Sequence, residues 1–311
     1  MHKFFIQILI FLIPIIAYCI SASIMMPYLL SFSNGPSTKQ QITYSFENSL
    51  SRNYELLILG NSRTYRGINP DVFSISKNAY NFSHDNDSYN QMYYKLKFIL
   101  KKEKNIKYLI LGVDYFQFSF KSDSRNYVYA DFLENNYLKD FTNTNLLLLK
   151  AEYYLSNINP KKLLLLKPRI KKPFLRSNGQ YIKYGKAKEN DTITREIKRL
   201  DFQVSYFNKI IDLCKSKKIK TFIVMLPIRQ NELKSYKHSE INEFDSFISD
   251  YADSNNVFYL NYSTVNNFST SDFTDITHLN EPAANRFTNN LNKDLLNLIN
   301  NKNKARKILP D

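Results

Sequence analysis

Four short, nearly uninterrupted apolar runs set the tightest limit on how this chain can fold: Tyr54-Glu55-Leu56-Leu57-Ile58-Leu59, Tyr108-Leu109-Ile110-Leu111-Gly112, Thr221-Phe222-Ile223-Val224-Met225-Leu226 and Val257-Phe258-Tyr259-Leu260. Runs this short and this apolar read as buried strands. A smaller one, Ala79 to Phe82, lies between the first two. Helical patterns separate them. Tyr93, Leu96, Ile99 and Leu100 recur at helical spacing within 89–102, and further helices are expected from about Thr194 to Ser216, Ser239 to Asp253 and Glu281 to Asn300. Asn280 is placed to cap the last of these, with Pro282 in its first turn. Strand and helix in alternation predict an α/β fold, a doubly wound parallel sheet.

The first residues obey a different rule. After Met1-His2-Lys3 no charged residue occurs until Lys39; Phe4 to Ala17 is almost continuously apolar and Tyr18 to Phe32 mostly so. About 20 such residues span a bilayer. The run exceeds the ~7–15 apolar residues usual in a secretory leader, so residues 1–32 read as a retained membrane anchor. Ala22 and nearby serines keep a cleaved leader as the competing reading, while Tyr18 is too bulky to precede a lipid-modified Cys19. Lys3 favours the N-terminus inside. The expected place is the cytoplasmic (inner) membrane, single-pass, with the globular part extracytoplasmic. Residues 33–50, rich in Ser, Asn and Gln, read as a linker, 51–300 as the α/β domain and 301–311 as a basic tail. Cys19 in the anchor and Cys214 in a helix form no disulfide with each other.

Between about 117 and 193 the alternation lapses, which predicts an insertion over the sheet edge. From Lys161 to Lys188 it carries ten Lys or Arg and no acid, within a chain of net charge +15. That stretch is either a solvated loop or a surface for anionic lipid or glycan. Arg63, Arg66, Lys171 and Lys172 are the candidates for anion binding. Nucleic acid is not expected, because no zinc-ligand spacing or aromatic RNA-binding signature accompanies the charge. Histidine and cysteine are too few and scattered for a metal set, and no cofactor is expected.

Chemistry concentrates at two places. Ser62 lies in Leu59-Gly60-Asn61-Ser62-Arg63, where the first strand ends and the carboxyl edge of an open α/β sheet presents ligand-binding groups. Asp275-Ile276-Thr277-His278 lies just before the last helix. A serine hydroxyl needs a base to become a nucleophile; His278 can take its proton and Asp275 can hold the imidazole tautomer. An N-cap serine is the plain structural alternative for Ser62. Asp272 is a spare acid, and His84, just after the second strand, stands where a pocket residue is expected.

Gly60-x-Ser62 with Pro70 downstream, together with Asp275-x-x-His278, resembles the first and last blocks of the SGNH (GDSL-like) hydrolase superfamily. With the anchor and Leu111-Gly112-Val113-Asp114-Tyr115-Phe116, the chain is similar to the membrane-anchored extracytoplasmic branch, which includes proteins of polysaccharide O-acetylation and of teichoic acid D-alanylation. The resemblance implies a flavodoxin-like SGNH sheet, a Ser62–His278–Asp275 site and acyl chemistry. It also implies a cell-envelope glycan as acceptor and a membrane-bound O-acyltransferase as partner. It places oxyanion donors after the second and third strands, where Asn81, Ser83 and Asp114 stand. An ionised Asp114 accepts hydrogen bonds only and repels an oxyanion. Three functions follow as expectations: an O-acyltransferase, a carbohydrate esterase or lipase with water as acceptor, and a non-catalytic scaffold.

Overall fold

The structure of the protein is a computed structural model that describes residues 2–102, 105–122, 125–133, 137, 139, 145–166, 171–193, 197–253, 255–265 and 268–300. The basic tail at 301–311, together with Lys167, Arg169 and the start of the helix expected from Thr194, lies outside the described residues.

The domain contains β1 (Leu56–Leu59), α3 (Ser62–Gly67), β2 (Ala79–Asn81), α4 (Tyr89–Lys102) and β3 (Tyr108–Val113). After the insertion come α7 (Asp201–Ser216), β6 (Lys220–Met225), α8 (Gln230–Leu233), α9 (His238–Ser249), β7 (Val257–Asn261) and α10 (Glu281–Asn300). Five strands form one parallel sheet in the order β2-β1-β3-β6-β7. Counted along the chain within this sheet, that is the doubly wound order 2-1-3-4-5, whose topological switch point lies between the first and third strands. Alternation along β1 feeds two cores. Leu57 and Leu59 pack with Leu96, Phe207 and Ile248 on one face, while Leu56 and Ile58 pack with Phe287, Leu291 and Leu295 of α10 on the other. Both faces are therefore covered, as the unbroken apolar runs require.

Residues 33–50 are not a linker. Most of this span is a helix, α2 (Thr38–Asn48), opened by a capping box in which Ser37 and Gln40 satisfy each other's backbone N–H. Ile42 and Phe46, one turn apart, are buried in the first core, and Phe46 stacks on Phe132 at a 4.5 Å centroid distance. The polar composition belongs to the solvent face of this helix.

Helix α1 (His2–Asn34) precedes it by three residues. Its segment His2–Phe32, with mean hydropathy 2.5, is the one helix among the described residues long and apolar enough to cross a membrane. The insertion carries α5 (Asn126–Tyr129), α6 (Leu146–Ile158) and a two-stranded antiparallel hairpin of β4 (Phe174–Leu175) and β5 (Tyr181–Ile182). α6 runs beside α1, and Tyr18 Oη donates to Ile158 O at 3.0 Å. The hairpin packs on α3: Tyr181 stacks on Tyr65 at 5.4 Å, and Gln180 Nε2 donates to Arg66 O at 2.9 Å. The hairpin is thus docked on the domain, while Lys161, Lys171, Lys172, Lys183, Lys186 and Lys188 of the basic stretch are exposed.

Candidate active site

Ser62 is the first residue of α3, directly beyond β1 and beside the switch point. A tight approach puts it there. A Cβ on Gly60, after β1, or on Gly112, in β3, would run into the Thr64 side chain. Two glycines on neighbouring strands thus let the first turn of α3 settle onto the sheet edge. Asn61 caps that turn through Oδ1, which accepts from Arg63 N at 2.9 Å, while its amide donates to Gln117 Oε1. Ser62 fills the position after the cap, so the capping role of the structural alternative belongs to Asn61.

His278 arrives from the opposite end of the chain, two residues before Asn280, whose side chain accepts from Ala283 N at the start of α10. Ser62 Oγ lies 2.8 Å from His278 Nε2, and His278 Nδ1 lies 2.7 Å from Asp275 Oδ1. An ionised carboxylate carries no proton, so Nδ1–H donates to Asp275 and Nε2 is left to accept from the serine hydroxyl. Asp275 Oδ1 also accepts from the backbone N–H groups of Thr277 and His278, each at 3.1 Å, and Oδ2 pairs with Lys183 at 3.2 Å. Asp272 is engaged elsewhere, with Arg286 at 2.8 Å.

Burial lowers the His278 pKa from 6.5 to about 4; the hydrogen bond that His278 donates to Asp275 opposes that shift and the positive charge of Arg66 adds to it. The imidazole is neutral at pH 7, the form a general base needs. Burial raises the Asp275 pKa, but His278, the Thr277 N–H and Lys183 outweigh it and hold the carboxyl far below its ordinary range.

The other expected residues divide. Asn81 is fully buried and its amide donates to Thr64 O and Ile68 O, both at 3.0 Å, tying down the end of α3 instead of facing a pocket. Ser83 does not offer its N–H to an oxyanion, because Asn81 Oδ1 accepts it at 3.1 Å. Asp114 pairs with Arg63 Nε in the interior. Arg63 is therefore no solvent-facing anion site. Its guanidinium spans Asp114, Glu232 and, at 3.2 Å, Thr277 O. Burial opposes its charge, and the two carboxylates more than restore it.

Arg66 remains at the site, pairing with Asp85 at 2.9 Å and approaching Ser62 O at 3.4 Å. Lys171 and Lys172 are exposed, and Lys171 lies 5.6 Å over the Tyr184 ring. His84 is buried beside Lys95 Nζ at 2.6 Å in a cluster with Asp87 and Tyr129. Glu232 carried no sequence signal and Lys183 only that of the basic stretch 161–188; each belongs to the site only through a contact made by folding.

A cavity of about 510 Å³ lies beside these residues, lined by Arg66, Asp85 and Lys183 at one end and by Leu30, Asn34 and Lys39 at the other. Ser62, His278 and Asp275 do not line it; Arg66 and Lys183, which contact them, do. Among the described residues no group of three or more His, Cys, Asp or Glu is arranged to hold a metal ion.

Fold and site together define a class, a doubly wound parallel α/β protein with a hydrogen-bonded serine, histidine and aspartate at its switch point. A family model of unknown function matches residues 176–300, a span that contains Asp275 and His278 but not Ser62. The chain matches no curated protein.

Proposed function

We propose that the protein is a membrane-anchored, serine-dependent O-acyltransferase of SGNH type that esterifies hydroxyls of a cell-envelope or exported polysaccharide on the extracytoplasmic side. The observation that carries the chemical part is the continuous relay from Ser62 Oγ to His278 Nε2 and from His278 Nδ1 to Asp275 Oδ1, at 2.8 and 2.7 Å. The anchor supports the location and the cavity toward α1 supports access from the membrane side.

In this reaction Ser62 gives its proton to His278 Nε2 as Oγ attacks the acyl carbonyl of a donor. The donor's leaving group departs with that proton, and the acyl group remains as an ester on Ser62. A sugar hydroxyl then attacks the ester while passing its proton to Nε2, and Ser62 leaves and takes the proton back. Asp275 holds the imidazole and balances its charge when protonated. The Ser62 N–H, at the first position of α3 and without an intrahelical acceptor, faces developing negative charge along with Arg66. Arg63, shared between Asp114 and Glu232, offsets part of the Asp114 charge and so lessens the repulsion an oxyanion would meet. A polysaccharide-modifying assembly of this kind works beside a membrane-bound O-acyltransferase that delivers the acyl group.

Full-length protein in bilayers is expected to react with a fluorophosphonate at Ser62, to lose that reaction in Ser62→Ala and to slow strongly in His278→Ala. A folded protein that stays unlabelled would overturn the acyl-enzyme. If labelling holds, release of acyl groups to water at the same rate with and without a glycan acceptor would assign the protein as an esterase.

A further inference from the structure

The insertion exposes apolar side chains that the α/β domain leaves uncovered. Leu147 and Leu148 at the start of α6, Leu155 near its end, and Leu164 in the 3-10 turn that follows are 79, 55, 64 and 73% exposed. They do not lie on a face turned to bulk water alone, because α6 and that turn pack along α1. The register is given by two contacts. Tyr153 and Tyr154 border a cavity shared with Ile24, Pro27 and Tyr28, and Ile158 O receives the Tyr18 hydroxyl. The insertion therefore descends along α1 from its outer end toward its middle.

Bilayer dimensions turn this register into depth. A hydrocarbon core of about 30 Å takes roughly 20 residues of a helix. With Lys3 at the inner surface, the outer boundary falls a few residues beyond Tyr18, so Ile158 and the turn Pro160–Leu165 reach the outer leaflet. Lys161 is exposed, and Lys162 Nζ is held by Ser156 Oγ at 3.2 Å and Asn157 Oδ1 at 3.0 Å. Long basic side chains of this kind can extend to anionic headgroups while an exposed leucine such as Leu164 enters the acyl chains.

We infer that the end of α6, from Leu155, and the turn after it form a second membrane element, a lipid-inserted wedge whose occupant is the outer leaflet of the bilayer that α1 spans. It rests on the anchoring part of the proposed function and is independent of the acyl chemistry. The wedge gives the domain two points of attachment, one spanning and one interfacial.

The chain contains no tryptophan, so single replacements report depth without background. Full-length Leu164→Trp, Leu155→Trp, Phe11→Trp and Leu200→Trp are reconstituted into vesicles of phosphatidylethanolamine and phosphatidylglycerol with brominated acyl chains. Phe11 is in α1 and Leu200 is on the domain surface. Leu164→Trp and Leu155→Trp are expected to emit blue-shifted light and to be quenched like Phe11→Trp, with Leu200→Trp unquenched. Quenching of Phe11→Trp alone would overturn the wedge and leave the anchor standing; loss of quenching at Phe11 as well would overturn both. Shielding of Leu155→Trp that grows with protein density and without bromine quenching would assign the leucines to a second copy of the chain, which also overturns the wedge.

Discussion

At the residue scale, the Ser62 proton has one acceptor and that acceptor is uncharged. Because burial lowers the His278 pKa from 6.5 to about 4, the base form persists as pH falls through the ordinary imidazole range. The expected kcat/KM for a small acyl ester is level from neutral pH down past 6.5 and declines only toward the lowered value. An acid limb centred at the ordinary value would show a solvated ring. Asp275→Asn exchanges an acceptor for an amide that cannot both fix Nδ1–H and balance an imidazolium, and is expected to slow acylation on the order of 10²–10⁴-fold. Combining it with Ser62→Ala should cost little beyond Ser62→Ala alone, since the residues act as a unit. Arg63 makes a different prediction. Arg63→Ala leaves Asp114 and Glu232 buried without their shared cation, for a loss of about 3–5 kcal/mol in urea unfolding, whereas removal of an exposed anion-binding arginine would change stability little. Ser62, His278 and Asp275 were legible as a set because their spacing and their place after a strand or before a helix are local. Arg63 was not, since Asp114 and Glu232 meet it only after three separate strand-to-helix crossings.

At the element scale, Thr64 occupies the room left by Gly60 and Gly112. Gly112→Ala is expected to destabilise by about 1–3 kcal/mol through overpacking, and Thr64→Ala in the same chain should recover part of that loss. Additive losses in the double variant would place the strain elsewhere. For α2, Phe46→Ala is expected to cost about 3–5 kcal/mol, against almost nothing for a residue in a true linker; thermal unfolding of the two proteins decides it. The strands were readable because burial on both faces writes itself as continuous apolar sequence. α2 escaped because two apolar side chains one turn apart anchor it amid Ser, Thr, Gln and Asn. The hairpin escaped because its strands are two residues each and its hold on α3 is made by Tyr181 and Gln180 across the fold. α7 begins at Asp201 rather than near Thr194, because Leu200 is extended and its N–H donates to Phe118 O at 3.0 Å.

At the scale of the whole molecule, the path from α1 to Ser62 contains little slack. α1 passes into α2 across three residues, α2 is packed in the core, and the core carries β1 and Ser62. Adding a flexible Gly/Ser segment between Gly35 and Pro36 is expected to leave hydrolysis of a soluble ester unchanged while lowering transfer to a membrane-presented glycan. Equal loss of both activities would point to damaged folding, and no loss to an acceptor that arrives from solution. The short junction between α1 and α2 also decides how such a protein finds its neighbours. A domain on a long tether sweeps a hemisphere and meets partners by rotation, whereas one held upright explores only the plane in which its anchor diffuses. Its encounters are then set by how crowded that plane is, and clustering with a partner raises its throughput more than any gain in reach.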